Sequence, residues 1–252
     1  MKRMICEPAG LSRVLLMALV SSGLMGGAAY GQAQHVEAGD AGNILVAGFQ
    51  NTIGSGTLRT IVGATNTAGG DVHDAYAIRI DDPDSFYATT SSDYGLGLGG
   101  SSFDTRLYLF QTDGRAVMAN DDDFPTGNPF QSLLSDPADY NSLTGGGSID
   151  GVTHPLVAGQ TYLLVVSGFS EDAYDTSGGQ VSLFNGFSDF DALQGVSGND
   201  FLGAWESDTS GTPNSGSYTI ELGGVSFAIP EPGSAIAVVL GLGVLGFRRR
   251  RG

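Results

Sequence analysis

Asp121, Asp122 and Asp123 are consecutive, and three adjacent carboxylates in one turn repel one another unless a cation lies among them. A hard cation such as Ca²⁺ takes about six to eight oxygen ligands. Asp82, Asp84 and Asp104 stand in other acidic stretches. They are the candidates to converge on the same ion, with backbone carbonyls completing the shell. The run does not follow the EF-hand pattern, because Pro125 occupies the fifth position of a loop begun at Asp121. A solvated acidic turn is the competing reading of the same residues, since charge runs commonly face water.

Other chemistry is sparsely provided. His35, His73 and His154 are the only histidines, too few soft or imidazole ligands for a zinc site. His35 adjoins the expected processing site and is expected to be disordered. Cys6, the single cysteine, precedes the N-terminal apolar run. The mature chain is therefore expected to have no disulfide, and Cys6 is on the wrong side of that run to anchor a lipid. The G-x-S-x-G elbow and the P-loop are absent from the sequence. A Ser-His-Asp triad assembled from distant positions stays open. Carboxylate pairs for glycoside cleavage are numerous, and their abundance singles out none.

The charge is unevenly spread. The whole chain carries a net charge of −16, but Lys2, Arg3, Arg13 and Arg248 to Arg251 cluster at its ends. Between positions 34 and 229 there are 25 Asp and Glu against four basic residues, Arg59, Arg79, Arg106 and Arg115. Such a body repels phosphate backbones, so nucleic acid is not an expected partner. It is suited to cations or simply to solubility.

The two ends read as addresses. Lys2 and Arg3 precede the apolar run 14–20, small residues follow, and Gly31-Gln32-Ala33 offers a cleavage site before Gln34. That is the layout of a signal peptide over 1–33, removed by signal peptidase on export. At the other end Pro230, Glu231 and Pro232 stand before an uncharged stretch, 233–247, followed by Arg248, Arg249, Arg250 and Arg251. A helix of about 15 residues is roughly 22 Å long, short for a bilayer, and Arg side chains extend it by reaching the interface. The basic cluster is expected to stay cytoplasmic, which places 34–229 outside. This tail, 230–252, resembles the PEP-CTERM sorting signal of Gram-negative bacteria. The resemblance implies recognition by an exosortase, transient anchoring by a short C-terminal transmembrane helix, and delivery to the cell surface or extracellular matrix.

The body, 34–229, reads as strands separated by Gly, Asp, Asn and Ser clusters, with helices scarce. Expected strands are 44–50, 57–62, 75–80, 85–90, 105–111, 116–119, 161–167, 180–184 and 217–222. The run 161–166 is apolar on both faces, as a central strand requires. Asp113-Gly114 marks a hairpin between 107–110 and 116–118. The polar stretches 120–151 and 185–216 read as long loops, the second holding Trp205, which is expected to plug a core. About nine short strands imply an all-β fold, a β-sandwich.

The order of several short motifs resembles the bacterial pre-peptidase C-terminal domain. Asp82-Pro83-Asp84-Ser85-Phe86, Phe103 to Phe110, Asn120 to Asp123, Ala158 to Val166 and Gly216 to Leu222 carry it. It implies a jelly-roll-like β-sandwich, an accessory module of secreted proteins, some relatives of which bind calcium or extracellular polymers. The stretch 185–216 is an insertion relative to that pattern. The expectation is therefore an exported, non-catalytic binding or structural module of the cell surface or matrix. A calcium-dependent module for carbohydrate, such as extracellular polysaccharide, or for adhesion is the alternative, and a secreted hydrolase the third.

Overall fold

The computed structural model describes residues 33–46, 48–143, 149–150, 154–176, 182–184, 193–196, 201–207 and 214–231. Strands dominate, and the protein is all-β, built on two multi-stranded sheets. The most apolar runs pair with one another at the centre of the larger, eight-stranded sheet. Gln160–Gly168 lies between Thr105–Gln111 and His73–Ile80, antiparallel to both. Beyond these, Ala116–Asn120, Leu193–Gln194 and Ile149–Asp150 extend one side and Val225–Phe227 the other, while Gln50–Asn51 adds in parallel to His73–Ile80. The six-stranded sheet runs Gln34–Val36, Thr60–Ala64, Ser217–Gly223, Tyr87–Thr89, Leu133–Ser135, with Gly100–Ser101 also paired to Ser217–Gly223.

Side chains alternate across a strand, so a continuously apolar strand needs cover on both faces. Tyr76, Ile78, Leu107, Leu109, Leu164 and Val166 join Ile61, Ala88, Leu133, Ile220 and Leu222 of the six-stranded sheet in one shared core. Ala75, Ala77, Tyr108, Phe110, Leu163 and Val165 face the other way, into a second cluster with Leu183, Phe184 and Leu202. A two-stranded ribbon, Glu171–Asp175 with Leu202–Ser207, supplies part of that second cover.

The Asp113-Gly114 hairpin is present. Gly114 has φ 87°, a region that costs other residues about 1–2 kcal/mol, and Leu109 pairs with Met118 across it. Elsewhere the local reading needs correction. Ile44 to Val46 form bends, not the start of a strand, and Ile44 has φ 70°. The stretch 120–151 contains Leu133–Ser135 and the helix Pro137–Leu143. Asp136 caps that helix by accepting from the Ala138 N–H at 2.9 Å, and Tyr140 on it is buried. The stretch 185–216 likewise holds Leu193–Gln194 and Leu202–Ser207. His35 is not disordered: it lies in Gln34–Val36, 2.7 Å from Gln50 Oε1 and edge-on to the Tyr76 ring. The expected strand 180–184 is described only from Ser182 on, where Ser182 and Phe184 form isolated bridges.

Residues 1–32, Pro232, the apolar stretch 233–247 and Arg248 to Arg251 lie outside the described residues. Among the described residues, no helix is long and apolar enough to cross a membrane.

Candidate cation sites

The hairpin register decides which acidic residues meet. Asp104 immediately precedes Thr105–Gln111, and Asp121 immediately follows the partner strand Ala116–Asn120, with Leu107 opposite Asn120. The two strands therefore deliver Asp104, Asp121 and Asp122 to the same end of the sheet, where their carboxylate oxygens lie within 4.8 Å of one another. Asp121 is only 3% exposed, and its Oδ1, like Asp104 Oδ1, has no hydrogen-bond partner among the described residues. Burial pushes the Asp121 carboxyl up to about 7, opposed by the Arg106 charge and reinforced by Asp122 and Asp104. Burial, then the charge of Asp122, raises Asp104 to about 6.

Arg106 is the nearby counter-charge, and it is already engaged. It is buried, its Nη1 donating to Asp172 and its Nη2 to Gln194 Oε1 at 2.7 Å. One guanidinium thus faces Asp172 and Asp121 together, leaving the acidic end of the sheet with an excess of negative charge. Oxygen-only donors, close together and with Asp121 buried, suit a hard divalent cation better than zinc or copper.

The other acidic residues singled out by sequence stand apart from this group. Asp82 and Asp84 are exposed beside the short 3-10 helix Pro83–Ser85, where Asp82 Oδ2 accepts from Ser85 Oγ at 2.8 Å. Asp123 is buried but turned to its own loop, accepting from Thr126 Oγ1 at 2.6 Å and from the Thr126 N–H at 3.3 Å. Adjacency in sequence is misleading here, because successive side chains leave an extended or turning chain on different sides. Pro230 and Glu231 are exposed, at the edge of the body.

A second group, Glu37, Asp71 and Asp74, was not legible in the sequence. Its ligand oxygens also lie within 4.8 Å of one another. Glu37 follows Gln34–Val36 and accepts from the Ala64 N–H at 2.8 Å, while Asp74 lies in His73–Ile80. Asp74 is fully buried; its Oδ2 accepts from Tyr218 Oη at 2.7 Å, and its Oδ1 has no partner among the described residues. Burial pushes Asp74 up to about 8, the Tyr218 hydroxyl holding it from going higher. Burial raises Glu37 and Asp71 as well. The one sequence signal was the pair of acids flanking Val72-His73 at the entry to an apolar strand. Glu37 is distant in sequence and nothing local links it to them.

His73 itself is buried, its ring 4.3 Å from that of Trp205 and its Nε2 3.6 Å from Glu171 Oε2. Desolvation lowers it to about 3, so the imidazole is neutral near pH 7. Ser207 Oγ donates to Glu171, not to an imidazole, so the constellation lacks the hydroxyl-to-histidine bond of an activated nucleophile.

The chain matches no protein-family model, no curated protein and no solved structure. Fold and side-chain geometry together define an all-β protein with two carboxylate clusters among the described residues, each with one buried member.

Proposed function

We propose that the chain is an exported protein of the cell surface or extracellular matrix, with a non-catalytic binding or structural body that Ca²⁺ consolidates. The body is read as a jelly-roll-like β-sandwich, and the segment from Pro230 onward as a sorting tail processed by an exosortase. The buried Asp121 oxygen, with no hydrogen-bond partner among the described residues and Asp104 and Asp122 beside it, carries the cation reading. A buried carboxylate is costly unless paired, protonated or bound to a metal. The Glu37, Asp71 and Asp74 cluster supplies the same chemistry at a second place. Support for the sorting reading is the order of Pro230-Glu231-Pro232, the apolar stretch and Arg248 to Arg251.

A thermal melt of the purified protein in EDTA, then in millimolar Ca²⁺ or Mg²⁺, tests the cation reading. Ca²⁺ at about 100 times its dissociation constant adds roughly 2.7 kcal/mol, a rise of several degrees. The rise is expected to exceed that with Mg²⁺ and to shrink in Asp121→Asn and Asp122→Asn. An unchanged melt would reject it.

One observation favours carbohydrate as the bound partner. A surface cleft of about 370 Å³ is lined by Ser101, Ser102, Phe103, Asp104, Asn128, Phe130 and Gln131. It shares Asp104 with the first cluster, and Phe130 is 61% exposed. An exposed ring flanked by amides and hydroxyls suits the apolar face and hydroxyls of a neutral sugar, whereas the acidic body disfavours an anionic one. Retention on neutral polysaccharide, lost in Phe130→Ala and in EDTA, is the expected result.

A further inference from the structure

The leading half of the sorting motif is built into the body. Ile229–Pro230 pairs in parallel with Ile53–Gly54, outside both main sheets. The Ala228 N–H donates to Thr52 Oγ1 at 3.0 Å, the Ile229 N–H to Thr52 O at 3.0 Å, and the Glu231 N–H to Gly54 O at 3.1 Å. Pro230 has no N–H to give. Every backbone donor from Ala228 to Glu231 is therefore spent on Thr52 and Gly54. Thr52 is itself fixed, being fully buried with its hydroxyl donating to Ala77 O at 2.7 Å on the central sheet. Gly54 is required for the fit, since a Cβ there would lie 2.7 Å from the Phe227 ring.

We propose that Thr52 to Gly54 form a latch that withholds the sorting motif from the membrane enzyme that processes it. This rests on the sorting reading above. Enzymes and domains that read an extended peptide do so largely through its backbone hydrogen bonds. The only N–H groups of Ile229, Pro230 and Glu231 are the two that the body already holds, so body and enzyme compete for the same donors. Processing then waits on release of Ala228 to Glu231, and the rate follows the fraction of molecules in which the short ladder is open. Because the side chain of Glu231 stays exposed while its backbone is held, the enzyme can meet the motif before it can grip it.

Two measurements on the full chain test the latch. Amide exchange at Ile229 and Glu231 is expected to be at least about tenfold slower than in a free peptide of the same sequence. Free-peptide rates would overturn the latch without any variant. In cells that process the protein, Gly54→Val, and the milder Gly54→Ala, are expected to lose that protection and to shed the tail up to about tenfold faster in pulse-chase. A melt confirms that the body of each variant still folds. Equal or slower shedding by a folded, unprotected variant overturns the latch and leaves the sorting reading standing. If neither the unmodified chain nor a folded, unprotected variant ever sheds its tail, the sorting reading fails and the latch falls with it.

Discussion

Asp74 shows how one residue can carry opposite consequences with and without a cation. Burial raises its carboxyl to about 8, so the folded chain holds that proton more tightly than the unfolded one. Its contribution to stability is full below the unfolded value and is lost as pH rises through about 8. In EDTA, Asp74→Asn keeps an acceptor for Tyr218 and removes the ionisable group. It is expected to match the unmodified chain near pH 4 and to be the more stable at pH 9; a less stable variant at pH 9 would contradict this account. His73 works in the other direction. Its folded value, about 3, lies below the usual imidazole value, so its contribution is present above about pH 6.5 and is lost as pH falls towards 3. Glu171 faces its ring from the ribbon, while Asp40 and Asp71 line the small cavity that His73 also borders. Denaturant unfolding between pH 6.5 and 4 is expected to show a smaller loss of stability in His73→Asn than in the unmodified chain.

At the scale of elements, the hairpin between Thr105–Gln111 and Ala116–Asn120 is what makes the first acidic cluster. Its turn depends on Gly114 at φ 87°. Gly114→Val is expected to cost about 1–2 kcal/mol and to weaken any Ca²⁺-dependent rise in melting temperature, because register and cluster are set together. A variant that lost stability yet kept the full rise would separate the two. Leu164, on the central strand and fully buried, probes the shared core instead. Leu164→Ala is expected to cost about 2–5 kcal/mol by chemical denaturation, with the Ca²⁺ response intact.

For the whole molecule, charge matters more than any single pair. Among the described residues the Arg79 to Asp81 pair is about half exposed and worth little, and Arg106 is committed to the interior. The acidic excess therefore repels itself over the folded surface. In EDTA, raising NaCl from about 10 to 500 mM shortens the screening length several-fold and is expected to raise the melting temperature. In saturating Ca²⁺ the same salt series is expected to move it less. Equal salt responses would mean that the clusters contribute nothing to the repulsion.

The all-β class was legible because its evidence is local. Thr161 to Val166 is apolar on both faces, Asp113-Gly114 encodes its own turn, and each strand's alternation follows from a two-residue period. The polar stretch 120–151 misled for the same reason: Leu133, Leu134 and Tyr140 are too few and too scattered to show a period, and they are buried because the tertiary fold brings them into the shared core. Sequence also pointed to Asp104, Asp121 and Asp122, but it included Asp82, Asp84 and Asp123 on equal terms. Only the pairing of strands separated them, since proximity across a hairpin depends on register and not on spacing. The cluster of Glu37, Asp71 and Asp74, the neutral His73 against Trp205, and the seating of Ile229 to Glu231 on Thr52 and Gly54 join segments far apart along the chain. Composition and local pattern determined what the chain is made to build, strands in an acidic body. Which distant carboxylates share a buried volume was decided by tertiary packing, because desolvation acts on neighbours in space.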